Sequence, residues 1–201
     1  MDDTQNNISS KNVKLKSNAK VEDGVLTVDY EIKNESGVTI YLLDEMIAYR
    51  DSKPVIDRDT SYVFLEEPRT LRIVRATLRQ PKGKRIYSLE IPYARQLQPG
   101  EKLNGTVKLK APIKEKSPFY PFPEKENGES VDCNELHLII GWTTPIEGTK
   151  IMEVNIGGEK VFRIRGRWYQ QLAESEERIE TKLIRHTDDF DRQMPLGAKE
   201  Q

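Results

Sequence analysis

The sequence predicts a mostly β protein, an antiparallel β-sandwich with one C-terminal α-helix. Three observations predict this fold. Short stretches of alternating apolar and polar residues recur through residues 11–166, as in strands that bury one face. Clusters of Gly, Pro, Asn and Asp separate these stretches at intervals of about 8–12 residues, which is typical of sandwiches. After Gly166 the apolar spacing lengthens to about four residues, which indicates a helix.

The clearest strand lies at residues 25–33, where Leu26, Val28 and Tyr30 alternate with polar residues. Residues 38–43 are almost all apolar, which predicts a strand covered on both faces. No strand–helix–strand alternation occurs, so parallel pairing is not expected.

Two local features are predicted within the strands. The apolar phase slips between Ile73 and Val74, which indicates a β-bulge because one extra residue shifts the alternation. The last hairpin is expected to pair Ile156 with Phe162 around a loop at residues 158–160.

The predicted helix covers residues 167–186. Its apolar side chains recur at Trp168, Leu172, Ile179 and Leu183, the spacing of one helical face. The chain is therefore expected to comprise a disordered tail at 1–10, a sandwich at 11–166, the helix, and a flexible polar tail at 187–201.

The turn Pro99-Gly100-Glu101, which leads into an alternating strand, resembles a turn common in immunoglobulin-like sandwiches. The resemblance implies a fold and no activity. The Cys…Trp…Cys pattern of antibody-type domains is absent, since Cys133 is the single cysteine.

Charge and hydropathy limit the classes of partner that the sequence predicts. The net charge is −1, from 32 basic and 33 acidic residues, so a nucleic-acid partner is not expected. No apolar run approaches the roughly 20 residues of a membrane span. The polar N-terminus shows no signal peptide. These features predict a cytoplasmic protein, or a processed exported protein whose signal peptide is absent from this chain.

Few residues suggest catalysis or a metal. Cys133 and His137 are four apart on a predicted strand and would share a face, which leaves a hydrolase-like enzyme using Cys133 as one alternative. No third orienting group is evident. A zinc site needs at least three well-placed ligands, and His186 lies in a different predicted element. Asp57 and Asp59 suggest calcium as another alternative, but the remaining ligands are missing. We predict no enzyme, metal or cofactor.

A row of cations is the candidate anion site. Arg163, Arg165 and Arg167 alternate along one strand after Lys160, a spacing that suits phosphates or an acidic partner. The alternative is a solvent-facing strand balanced by nearby glutamates, namely Glu174, Glu176 and Glu177.

The proline-rich stretch at 117–123 carries Phe119, Tyr120 and Phe122. Aromatic side chains on a stiff loop lose little entropy on binding, so these are the first candidates for partner binding, with Trp168 and Tyr169 second. We predict a non-enzymatic module for protein–protein interaction, or an accessory subunit. The alternative is a ligand- or calcium-binding sandwich.

Overall fold

The computed structural model describes residues 12–66, 68–81, 91–119, 128–185, 192 and 194–197. Those residues form fourteen β-strands and contain no α-helix. The predicted tail at 1–10 lies outside them. The strands are β1 (Val13–Glu22), β2 (Val25–Asn34), β3 (Ile40–Glu45), β4 (Ile47–Arg50), β5 (Lys53–Ile56), β6 (Tyr62–Glu66), β7 (Thr70–Arg75), β8 (Tyr93–Leu97), β9 (Lys102–Lys110), β10 (Ile113–Lys114), β11 (Glu129–Thr143), β12 (Thr149–Ile156), β13 (Glu159–Gly166) and β14 (Gln171–Arg185).

The strands form a small sheet, a large sheet and a hairpin. The small sheet has three antiparallel strands in the order β1-β2-β9. The large sheet has nine strands; its main path is β10-β14-β11-β3-β8-β13-β12, and β7 joins β11 and carries β6. Strands β4 and β5 pair only with each other among the described residues.

The main core lies between the two sheets. It joins Leu26, Val28 and Val107 of the small sheet to inward residues of the large one, such as Ile73 and Leu138. Two further apolar clusters cover the opposite face of the large sheet, which explains why every residue of β3 is buried. The mostly β prediction is confirmed, and the facing sheets are consistent with the predicted sandwich.

The predicted C-terminal helix at 167–186 is wrong, because strand β14 occupies most of it. This strand pairs antiparallel with β11 along its length. Its inward positions alternate, but Ser175 and Glu177 stand among them; the Ser17 hydroxyl lies 2.8 Å from Ser175 Oγ and donates to Glu177 at 3.0 Å. Because two inward positions are polar, the alternation of apolar and polar residues expected of a strand is not visible in the sequence. The remaining apolar residues fall by chance at the spacing of a helix.

The large sheet is mixed, which corrects the prediction of purely antiparallel pairing. Strand β7 runs parallel to β11 from the pair Thr70–Glu135 to the pair Arg75–Ile140, and β10 runs parallel to β14. Two parallel strands must be joined by a long crossover connection. Here the chain between β7 and β11 contains other β-strands, β8 to β10, rather than a helix.

The predicted bulge at Ile73 is also wrong, because β7 pairs without interruption with both β6 and β11. Both of its faces are buried: Leu71 and Ile73 point into the core between the sheets, and Val74 points into the opposite cluster. Because apolar residues occupy both faces of the strand, the apolar pattern in the sequence looks as if its alternation had shifted by one residue. The irregularities in the ladders lie instead between Leu42 and Glu45, and in β11.

The last hairpin has a different register from the one predicted. Gly157 and Gly158 form a two-residue turn with φ values of 62° and 92°, as such tight turns require. Ile156 therefore pairs with Glu159 rather than with Phe162.

Part of the predicted C-terminal tail pairs with the segment that follows β7. The Leu196 amide donates to the Thr77 carbonyl at 2.9 Å, and the Arg79 amide donates to the Met194 carbonyl at 2.9 Å. Apart from residues 192 and 194–197, the predicted tail lies outside the described residues.

A close approach joins β2 to β9. Tyr30 pairs with Gly105, and its ring lies over that residue: a Cβ atom at Gly105 would stand 2.2 Å from Tyr30 Cζ. The glycine thus lets the ring lie flat and carry its hydroxyl into the large sheet, where Asp44 accepts its hydrogen bond at 3.0 Å.

Replacing Gly105 with alanine should destabilise the protein by about 3 kcal/mol, because the ring must shift and buried hydrogen bonds are lost. Chemical denaturation followed by circular dichroism measures this. Asn104→Ala, at an exposed position of the same strand, is the matched control and should change stability little. Equal effects of the two variants would contradict the proposed role of the close approach.

Candidate functional site

A cleft of about 520 Å³ opens where β8 and β13 separate. The ladder between these strands consists of one pair, Phe162 with Ala94. Beyond it, residues 91–93 and 163–165 form two sides of the cleft; residues 46–49, 60, 62 and 116–118 complete it. Such a volume lies within the range of binding sites for small molecules or short peptide segments.

The cleft is cationic. Lys116, Arg163 and Arg165 line it, and the described residues of its lining include no Asp or Glu. Within the described part of the chain, no carboxylate forms an ion pair with any of these three side chains. Lys116 Nζ donates to the Thr60 hydroxyl at 3.3 Å. The described lining therefore carries a net positive charge.

Apolar and aromatic side chains accompany these cations. Met46, Tyr62 and Ile164 are buried where they line the cleft. Tyr49 stands at its border with 72% of its surface exposed. A ligand with both anionic and apolar groups would match this lining.

A network of buried charges holds the walls of the cleft. Asp44 and Glu45 are completely buried at the end of β3 and bind Arg95 of β8, whose Nε lies 3.1 Å from Asp44 Oδ1 and 3.0 Å from Glu45 Oε1. Glu45 also accepts from Arg58 at 3.1 Å, and Arg58 contacts Glu159 at the start of β13. One buried acidic pair thus ties together β8, the loop after β5 and β13.

The same network reaches the small sheet. Arg75 donates to the Tyr30 hydroxyl at 3.2 Å, to Ser61 at 3.0 Å and to the carbonyl of Arg58. Burial raises the pKa of Tyr30, as does the charge of Asp44, so the hydroxyl keeps its proton. Burial and the charge of Asp44 also raise the pKa of Glu45, against the opposing effect of the arginines.

The structure places two of the three predicted anion-binding arginines in the cleft. Arg163 and Arg165 line it, but Arg167 does not. Arg167 lies over the ring of Tyr169, 5.7 Å from its centroid, and donates to its hydroxyl at 2.9 Å.

The glutamates expected to balance these arginines lie on β14 instead. No ion pair among the described residues joins them to Arg163 or Arg165. Glu174 faces His137, with 3.9 Å between the carboxylate and the ring nitrogen Nε2.

The predicted aromatic contacts are scattered. Phe119 is half-buried and packs against the cluster that contains Met46, while Tyr120 and Phe122 lie outside the described residues. Trp168 packs against a separate cluster with Ile164. Tyr169 is 56% exposed. Residues 117 and 118, which precede Phe119, line the cleft.

Cys133 and His137 do not share a face, contrary to the prediction. The register of β11 shifts between Cys133 and Glu135, so Cys133 joins the core between the sheets while the ring of His137 faces Glu66 on the other side. Burial, with the charges of Asp132 and Glu115, raises the pKa of the Cys133 thiol to about 11.

Asp57 and Asp59, the predicted calcium ligands, are part of a turn that is stabilised by local hydrogen bonds. Asp57 accepts from the Asp59 amide at 3.1 Å and from the Thr60 hydroxyl at 2.9 Å. In the described ranges, no three His, Cys, Asp or Glu side chains are arranged to hold a metal ion.

A search of the described residues for a helix long and apolar enough to cross a membrane finds none. Comparison of the chain with models of known protein families, with curated proteins and with solved structures gives no match.

The burial of Cys133 leads to a test of its reactivity. A buried thiol with a pKa of about 11 should be alkylated by iodoacetamide at least about tenfold more slowly than a free cysteine, because the thiolate is the reactive form. Mass spectrometry of the native and the urea-unfolded protein measures both rates. Rapid alkylation of the native protein would contradict the assignment.

His137 leads to a pH dependence. Burial by itself lowers the pKa of His137, but its hydrogen bond to Glu66, at 3.1 Å, and the charges of Glu66, Glu174 and Glu176 outweigh this, and the pKa is raised. The hydrogen bond with His137 is the main cause that lowers the pKa of Glu66. The contribution of the histidine to stability is therefore present below its ordinary pKa and lost as the pH rises through the raised value.

His137→Gln should accordingly cost more free energy of unfolding at about pH 5.5 than at about pH 8.5. Denaturation at the two pH values measures this. In a Glu66→Gln background, the pH dependence of the His137→Gln effect should shrink. An equal cost at both pH values would contradict the ion pair.

Proposed function

We propose that this protein is a non-enzymatic interaction module, an immunoglobulin-like sandwich that binds an acidic segment of a partner protein in the cleft between β8 and β13. The observation that carries the proposal is a set of three cations, Lys116, Arg163 and Arg165, that line one cleft together with apolar side chains, with no carboxylate partner and no acidic lining residue in the described part of the chain. The three side chains are exposed, and a cleft lined by charges of one sign attracts ligands of the opposite sign, which an acidic partner segment would supply.

The partners of the other arginines support this proposal in part. Arg58 and Arg95 bind buried carboxylates, Arg192 contacts Glu115 at 2.7 Å, and Arg167 stacks on Tyr169. Arg163 and Arg165 have no such partner among the described residues. Other arginines of the described residues also have no carboxylate partner, such as Arg50, Arg69 and Arg178, but they do not line the cleft.

The expected energetics suit a peptide ligand. A hydrogen bond between a guanidinium and a carboxylate contributes about 1.5–3 kcal/mol, more when water is excluded by the neighbouring apolar side chains. Tyr49, exposed at the border of the cleft, belongs to one of the three residue types (Trp, Tyr and Arg) that are enriched among the residues contributing most to binding at interfaces.

The positions of Cys133 and His137 support a module without catalysis. The thiol is buried in the core, and the histidine is engaged with Glu66 on the opposite face. A Cys–His mechanism needs the two within hydrogen-bonding distance.

A second candidate function is the binding of a small anionic ligand. The cleft volume of about 520 Å³ favours it, because pockets for small ligands fall in this range. Competition by free glutamate or inorganic phosphate at millimolar concentration would indicate this alternative.

The proposal is tested with a fluorescein-labelled pool of hexapeptides that contain three glutamates and three valines in all orders. The full chain should raise the fluorescence anisotropy of the pool, less so at high salt. Arg163→Glu/Arg165→Glu should weaken binding at least about tenfold, because two charge-assisted contacts become repulsive.

Arg167→Glu/Lys160→Glu is the matched control, with the same change of charge outside the cleft. It should retain binding within about threefold. Circular dichroism must show that each variant is folded. Equal loss in both variants, or no binding by the unmodified chain, would contradict the proposal.

A further inference from the structure

We infer that the acidic segment lies in the cleft as an added β-strand beside β13, with carboxylates at alternate positions of its sequence. This inference rests on the proposed function and names the class of segment that the site takes.

The cleft is bordered by strand edges rather than by the face of a sheet. Successive side chains of a strand point to opposite faces, so a site on a face is lined by every second residue. Here three consecutive residues of β13, Arg163 to Arg165, line the cleft, as do three consecutive residues that lead into β8, Ile91 to Tyr93. Because consecutive residues of each segment line the cleft, we infer that the backbone edges of these segments, rather than one face of the sheet, border it.

The ladder between β8 and β13 ends where the cleft begins. Continuing the register of the pair Phe162–Ala94 would place Ile164 opposite Pro92. Proline has no amide hydrogen and cannot donate to a ladder. The described residues contain no further pair between these strands. Within the described part of the chain, the edge of β13 beyond Phe162 is therefore unpaired on the side of the cleft, and unpaired sheet edges accept a further strand in β-augmentation.

The spacing of the cations sets the spacing of the carboxylates. Arg163 and Arg165 are two residues apart in β13, so their side chains leave the same side about 6–7 Å apart. An extended peptide places the side chains of residues i and i+2 at the same spacing. Glutamates at alternate positions therefore match both arginines at once.

The residue between the two carboxylates points the other way, toward the apolar part of the lining. Met46, Tyr62 and Ile164 supply this part. A β-branched apolar residue fits such a position and favours the extended conformation. The sequence class is thus acidic–apolar–acidic.

The experiment measures the binding of labelled hexapeptides to the full chain. Two are isomers of identical composition: the alternating Glu-Val-Glu-Val-Glu-Val, and the scrambled Glu-Val-Val-Glu-Glu-Val, which has no two glutamates at positions i and i+2. Two more are the alternating peptide with N-methylated valines and the alternating peptide with N-methylated glutamates. The alternating peptide should bind about tenfold or more tightly than the scrambled isomer, since only it matches both arginines at once. N-methylation of the set of amides that faces β13 should weaken binding by about tenfold or more.

Four results decide the inference. A preference for the alternating isomer that disappears in Arg163→Glu/Arg165→Glu, together with loss on N-methylation at either set of positions, supports it. Binding of both isomers within about threefold of each other overturns the strand while leaving the proposed function intact. Unchanged binding after N-methylation at both sets of positions overturns it in the same way. No binding by any peptide removes the proposed function and the inference with it.

Discussion

The structure depends on the buried acidic pair Asp44 and Glu45 at the end of β3. Removing two carboxylates from water is costly unless they are paired, and here the pairing reaches several parts of the fold. Arg95 brings β8 to the pair, Arg58 brings the loop after β5 and touches the start of β13, and Tyr30 brings the small sheet. The residues that border the cleft are therefore connected to the same interactions that join the two sheets.

The burial of both faces of the large sheet explains where reading the sequence succeeds and fails. Alternation locates β1, β2 and β9 because the small sheet buries one face and exposes the other. It misplaces β7, whose two faces are both covered. It fails at β14, where Ser175 and Glu177 occupy inward positions through hydrogen bonds to Ser17, a polar contact between sheets that no pattern in the sequence indicates. The turn at Gly157 and Gly158 could have been recognised, since adjacent glycines favour a two-residue hairpin.

The candidate site is only partly visible in the sequence. The alternating Arg163 and Arg165 are a local signal, and the sequence singles them out. Their separation from Arg167 depends on the end of β13 at Gly166, and the cleft depends on residues far apart in the chain, such as Pro92 and Lys116. No local pattern brings these together, because their proximity arises from strand order. A proline next to a predicted strand, together with cations that alternate along another strand, is a combination that can be searched for in a sequence as a sign of such a cleft.

Binding of an extended acidic segment at the edge of β13, between Arg163 and Arg165, is tested most directly by an amide nitrogen–proton correlation spectrum of the full chain, titrated with the alternating peptide. The amide of Ile164 should shift most, neighbouring amides of β8 and of Tyr49 should shift with it, and the amides of the small sheet should not. Shifts that spread over the whole basic surface, or that centre on the outer edge strand β12, would contradict binding at this edge.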